Sequence, residues 1–207
     1  MNVRVKICGI TTPDDAEAAV EAGADLIGLN FVPGSPRCLT VGDAEKIAAR
    51  VAGRVERVAV FRDADPREIE RVLRRVEVER IQLHGDEPPE DVELIELPTI
   101  KAIRGADEEA AERYPGAILL LDHPTKGGGR GQAWNWSDAG VLIERGYDVI
   151  LAGGLDPDNV AQAIEGVGDV LPWGVDVATG VESEPGRKDP ARMRAFVQAV
   201  RRAEGSG

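Results

Sequence analysis

Eight short apolar runs alternate with eight helical patterns along this chain, and that alternation restricts its fold more than any other feature. The runs cover residues 3–8, 25–31, 55–61, 80–83, 99–103, 117–121, 148–152 and 170–175. Helical patterns fill 13–21, 41–51, 65–76, a shorter stretch from 88, then 106–113, 134–145, 156–164 and 189–202. Several begin with a cap and a proline, as at Thr12-Pro13, Asp65-Pro66, Asp156-Pro157 and Asp189-Pro190. A hydroxyl or carboxylate there accepts from an orphan backbone N–H, and proline suits the first turn. Strands this short and apolar, each followed by a helix, pair in parallel and are covered by helices. Closing eight such units yields a (β/α)8 barrel of the TIM type, with functional groups at the C-terminal face of its parallel strands. A doubly wound open sheet is the other solution, but it would not ordinarily use eight strands of this length with loops this short. No linker divides residues 1–207, so a single barrel domain is expected. Pro172 makes the start of the eighth strand irregular, 176–188 reads as a long polar loop, and 204–207 should fray.

Composition removes several classes of function. The formal net charge of -12 makes nucleic acid a poor partner, because phosphate backbones need basic surface. An acidic surface poor in lysine is one way to stay soluble at high ionic strength. No apolar window is long enough to span a membrane, and no signal peptide precedes the first strand. Cys8 and Cys38 make no disulfide framework and suit a reducing cytoplasm. His84 and His123 show no metal-ligand spacing, so no metal site is expected.

The strand tips carry the chemistry. In order they present Cys8, Phe31 with Arg37 beyond it, Phe61-Arg62, His84, Arg104, Asp122, Gly153-Gly154 and Asp176. Cys8 taken alone reads equally as a small buried hydrophobe or as a reactive thiol. Asp122 taken alone reads as an ordinary strand-end acid. Together across one mouth, a thiol and a carboxylate can serve as general base and general acid. Gly153-Gly154 and Ala178-Thr179-Gly180 fall after the seventh and eighth strands, where barrels hold phosphate on backbone N–H groups. Arg37 follows two prolines, a stiff mount for a guanidinium that binds a carboxylate. The stretch Lys126-Gly127-Gly128-Gly129-Arg130-Gly131 lacks a P-loop ending and reads as a lid. Trp134, Trp136 and Trp173 read as packing residues, with Trp134 able to close the lid over a ring. Lys6 is expected on the face of the first strand opposite to Cys8.

These stretches resemble the phosphoribosylanthranilate isomerase family of tryptophan biosynthesis. Lys6-Ile7-Cys8-Gly9-Ile10-Thr11 is similar to its opening motif. Ser35-Pro36-Arg37, Gln82-Leu83-His84-Gly85-Asp86-Glu87 and Leu151-Ala152-Gly153-Gly154-Leu155 resemble later ones. So does Val175-Asp176-Val177-Ala178-Thr179-Gly180-Val181-Glu182, with Pro185-Gly186 and Lys188-Asp189 after it. The resemblance spans the chain in order. It implies a cofactor-free Amadori rearrangement of N-(5-phosphoribosyl)anthranilate to 1-(2-carboxyphenylamino)-1-deoxyribulose 5-phosphate. It makes Cys8 the general base, Asp122 the general acid and Arg37 the residue that holds the anthranilate carboxylate. His84 and Asp176 fall among the substrate-binding positions, and Gly153, Gly154, Ala178, Thr179 and Gly180 in the phosphate site. Lid residues Gly128, Gly129, Arg130 and Gly131 depart from the family in one respect, because Thr usually stands where Arg130 is. Trp134-Asn135-Trp136 replaces a usual Phe-Asp-Trp, and Ala178-Thr179 a usual Ser-Ser.

The acid should work with its pKa raised by burial or by a bound anion. Two other readings compete: another phosphosugar barrel, and a phosphate-binding barrel without catalysis. Other phosphosugar barrels lack a cysteine base at the first strand. The pairing of Cys8 with Asp122 disfavours the second.

Overall fold

Short strands buried on both faces still need a hydrogen-bonded neighbour on each side. The chain meets that need by closure. The computed structural model describes residues 2–123 and 135–205; the proposed lid, with Gly128, Gly129, Arg130, Gly131 and Trp134, lies outside them. The strands are β1 (Arg4–Cys8), β2 (Leu26–Asn30), β3 (Glu56–Phe61), β4 (Arg80–Leu83), β5 (Thr99–Arg104), β6 (Ile118–Asp122), β7 (Val149–Leu151) and β8 (Gly174–Val177). They form a closed barrel in sequence order, every neighbour parallel, with β1 paired to both β2 and β8. The helices are α1 (Pro13–Ala22), α2 (Val41–Arg50), α3 (Pro66–Leu73), α4 (Pro89–Glu93), α5 (Glu108–Glu112), α6 (Asp138–Glu144), α7 (Val160–Glu165) and α8 (Pro190–Glu204). Among the described residues no helix is long and apolar enough to cross a membrane.

Caps start several helices soon after their strands end. Thr12, Thr40, Asp65, Asp107 and Asp189 each accept a hydrogen bond from a first-turn backbone N–H. Two cores follow from strand alternation. Val5, Ile7, Ile27, Leu29, Ala59, Phe61, Ile81 and Leu83 face the helices, while Leu26, Val58, Val60, Ile100, Leu120, Ile150 and Cys8 fill the barrel. The barrel floor is ionic and aromatic. Glu56 accepts from Arg4 at 2.8 Å and Arg80 at 2.7 Å, and both guanidiniums lie over the Trp173 ring. Trp136 is buried against Ala152, its indole N–H donating to that carbonyl. Both described tryptophans are therefore packing residues.

The structure corrects four expectations. β8 begins at Gly174 rather than 170, because Pro172 has no N–H to give and the ladder opens with Arg4 N donating to Trp173 O. α7 begins at Val160, because the Asp156 carboxylate accepts from Asp158 and Asn159 and makes a local turn first. The polar loop contains a single 3-10 turn (Thr179–Val181) and an antiparallel hairpin of β9 (Glu182–Glu184) and β10 (Arg187–Lys188), turned at Pro185-Gly186. Glu204 does not fray. Its carboxylate accepts from Val3 N and from Arg201, whose guanidinium also donates to Val3 O.

A buried ion pair ties the β3 and β4 loops to β5. Lys101 Nζ donates to Glu87 Oε2 at 2.8 Å and to Gly85 O at 2.6 Å. Glu87 also accepts from Asp63 N and Gly85 N, and Tyr114 donates to its carbonyl. Losing one member of a buried pair strands the other charge. Lys101→Met should therefore cost about 3–5 kcal/mol. Lys101→Met with Glu87→Gln, which keeps an acceptor for the backbone donors, should cost less than the single change. Urea melts of the two variants check this.

Candidate active site

Parallel strands deliver their last residues to one rim, so the chemistry of the mouth is set by where each strand stops. β1 stops at Cys8, β6 at Asp122, and β8 carries Asp176 inward just before its end. A cavity of about 260 Å³ is lined by Cys8, Arg37, His84, Asp122, Gly153, Gly154, Asp176, Ala178 and Thr179, among others. A larger hollow of about 610 Å³ adjoins it on the β4–β6 side and shares Arg62, His84 and Asp122. The smaller cavity holds the thiol, the carboxylate and the glycine loops together, so it is the candidate site.

Lys6 is not on the opposite face from Cys8. Residues two apart in a strand share a face, and both side chains enter the barrel. Lys6 is buried and its Nζ donates to Asp176 Oδ1 at 2.7 Å, across the β1–β8 closure. Burial pushes the Cys8 thiol up, with the Lys6 ammonium opposing that rise and Asp176 adding to it. Burial alone would lower the Lys6 amine, but the charges of Asp176 and Cys8 outweigh it and hold that amine above its ordinary value. Asp176 is thus engaged by Lys6 while still lining the cavity.

Asp122 departs from expectation in its protonation. Burial pushes its carboxyl up, but the hydrogen bond and charge of His84, with the backbone N–H of His123, more than offset this and hold it below the usual range. His84 Nε2 lies 3.2 Å from Asp122 Oδ2, and His123 N donates to Oδ1 at 2.8 Å. Gln82 reaches His84 Nδ1 at 2.8 Å through its amide nitrogen. The ring thus lies between the Gln82 amide and the Asp122 carboxylate, with Nε2 toward the acid. His84 therefore meets the candidate acid directly as well as lining the cavity.

The two glycine loops pack against the site for reasons of space as well as turn geometry. Gly153 has φ 79°, and a Cβ there would sit 2.6 Å from His123 N and 3.1 Å from Asp122 Oδ1. Gly180 is not a lining residue of the cavity; a Cβ there would fall 2.1 Å from Leu155 O, so it lets the two loops touch.

Arg37 lines the cavity but is not a free guanidinium. Nε donates to Glu182 Oε1 at 2.7 Å and Nη2 to Oε2 at 2.6 Å. Lys188 Nζ donates to the same Oε1 at 2.8 Å. Burial opposes the charge on Glu182, yet Arg37 and Lys188 together hold its carboxyl below the ordinary value. Reading strand tips alone missed Glu182, Lys188, Lys6 and Gln82. Strand alternation would have placed Lys6 and Gln82 inward. Glu182 and Lys188 stand in matched motifs, but nothing in their spacing says that they meet Arg37.

Comparison with known proteins identifies the relatives of this chain. Residues 5–199 match the model of the N-(5'phosphoribosyl)anthranilate (PRA) isomerase family. A Pseudomonas putida N-(5'-phosphoribosyl)anthranilate isomerase is 47% identical over 209 residues, covering 98% of this chain and 99% of that protein. A Trichlorobacter lovleyi enzyme of the same name is 41% identical over 206 residues, covering 97% and 99%. The crystal structure of phosphoribosyl anthranilate isomerase from Thermotoga maritima superposes with a TM-score of 0.88 at 39% identity, covering 96% of this chain and 98% of that one. A phosphoribosyl anthranilate isomerase in complex with reduced 1-(o-carboxyphenylamino)-1-deoxyribulose 5-phosphate does so with a TM-score of 0.84 at 37% identity, covering 96% and 98%. Near-complete coverage in sequence and in fold assigns this chain to the N-(5'-phosphoribosyl)anthranilate isomerase family, the isomerases of tryptophan biosynthesis.

Proposed function

We propose that the chain, acting as one barrel domain over residues 1–207 in a reducing cytoplasm, carries out its isomerisation with Cys8 as general base and Asp122 as general acid, without a cofactor. The observation that carries this reading is the joining of thiol, carboxylate and glycine loops in one cavity. The reduced product analogue bound by a relative has an aromatic carboxylate at one end and a phosphate at the other. Arg37 suits the first group. The backbone N–H groups around Gly153, Gly154, Ala178, Thr179 and Gly180 suit the second. His84 and Asp176, which line the same cavity, are assigned to the ribose hydroxyls.

The chemistry balances with proton transfers alone. Asp122 gives a proton to the ribose ring oxygen, the C1–O bond breaks, and the anthranilate nitrogen's lone pair forms a protonated imine. That cation acidifies C2, and Cys8 thiolate removes the C2 proton. The resulting enolamine tautomerises to the ketone, so C2 is oxidised and C1 reduced within one molecule. Free Asp122 is held ionised by His84, whereas bound substrate brings two anions and excludes water. Both effects raise a carboxyl pKa toward the protonated form that the first step needs. The imine cation acts oppositely on Cys8, favouring thiolate when C2 must be deprotonated.

Three outcomes check these roles. Cys8→Ser preserves shape but raises the base's pKa, so turnover should fall by roughly 10²–10⁴; near-normal turnover removes Cys8 from the mechanism. Asp122→Asn cannot donate the ring-oxygen proton. It should lose turnover and keep product affinity, so an affinity collapse would make Asp122 a binding residue instead. The raised Cys8 thiol should also show in its reactivity. In a Cys38→Ser background, iodoacetamide labelling of the free enzyme should rise with pH through a midpoint above ~8.5, the ordinary thiol value. A midpoint at or below that value contradicts the burial argument.

A further inference from the structure

Three stretches far apart in sequence meet at Arg37: its own loop, Gly9 after β1, and the hairpin after β8. Its side chain lies across Gly9, where a Cβ would sit 2.4 Å from Arg37 Cδ. Its Nε and Nη2 are both taken by the Glu182 carboxylate, and among the described residues Nη1 has no partner. Glu182 sits on β9, directly across the ribbon from Lys188 on β10. Lys188 Nζ reaches both Glu182 Oε1 at 2.8 Å and the Ala178 carbonyl at 2.9 Å, in the loop that follows β8. The Glu182 backbone is held in turn, its carbonyl accepting from Arg192 of α8 at 3.1 Å. Glu182 and Lys188 are both buried.

From this geometry we infer that Glu182 is a positioning residue for substrate recognition: it grips one edge of the Arg37 guanidinium and aims the remaining corner at the aromatic carboxylate of the substrate. The inference rests on the proposed role of Arg37 in reading that carboxylate. An arginine side chain is long and has many rotamers, so a bidentate partner on the Nε/Nη2 edge removes most of its freedom without blocking Nη1. Pairing with a carboxylate would by itself neutralise the reader. Lys188 restores the balance, because two cations and one carboxylate leave the cluster with a formal charge of +1 toward an anionic ligand. Through Ala178 O the same lysine joins the carboxylate reader to the proposed phosphate loop. The hairpin after β8 thus sets the distance between the two anion-binding ends.

The test separates aim from fold. Affinities are measured for the product and for its analogue lacking the aromatic carboxylate, in wild type, Glu182→Gln, Arg37→Met and the double variant, with kcat and KM alongside. Glu182→Gln should weaken product binding and raise KM about 10- to 100-fold, while kcat and the analogue's affinity change by less than about threefold. In the Arg37→Met background the second change should add less than about threefold, because the two residues act as one unit. If Glu182→Gln weakens product and analogue equally, or if its cost multiplies in full with that of Arg37→Met, the inference is overturned while Arg37 keeps its role. An Arg37→Met variant that itself weakens both ligands equally overturns the reading of Arg37 and the inference together. Should Glu182→Gln fail to fold because Lys188 is left buried without its partner, Glu182→Gln with Lys188→Met removes both charges. It is held to the same selective loss.

Discussion

Barrel closure is the constraint on which the site depends. When β1 meets β8, Lys6 falls opposite Asp176 and the two form an ion pair inside the barrel. A charge in that interior without a partner would be costly, and closure leaves no barrel strand with an open edge. The pair therefore belongs with the closure. It also fixes the surroundings of Cys8, one step above Lys6 on the same face. The thiol sits in a field made by a buried ammonium below it and a carboxylate beside it, within an apolar wall that disfavours thiolate. Substrate charge acts on a thiol whose pKa burial holds up.

The proposed acid is governed by the same competition with the opposite result. Burial works against the Asp122 carboxylate, but His84 and the His123 backbone N–H hold the ionised form. The free enzyme thus presents the proposed acid in its ionised form, hydrogen-bonded to the His84 ring. Ligand binding replaces water with anions, which moves the carboxyl toward protonation. Electrostatics in the empty cavity and in the occupied one need not favour the same protonation state, and the proposed mechanism uses that difference.

Local chemistry marked most of the fold. Thr12-Pro13 and Asp189-Pro190 start α1 and α8 where cap and proline rules put them, and apolar runs as short as Arg80–Leu83 become strands with matching bounds. Where the sequence misled, a longer-range partner or a backbone constraint had overruled the pattern. The apolar run at 170–175 was displaced by Pro172, and the polar loop after Asp176 gained a hairpin because Pro185-Gly186 supplied a turn. Lys6 enters the barrel beside Cys8 rather than facing away from it, since residues two apart in a strand share a face.

The sequence by itself determined which residues end the strands, and so which side chains reach the mouth. That follows from local geometry, because a strand's stop and the alternation of its side chains depend only on nearby residues. The thiol, the carboxylate and the glycine loops could be read from that rule, and Arg37 from the proline-rich loop beyond β2. Only the tertiary structure decided what each group touches and how it titrates. Lys6 meets Asp176 across 170 positions, and Arg37 meets Glu182 across 145. Desolvation and charge pairing act over a few ångströms of space, and no periodicity in the chain encodes which distant residue will occupy that space.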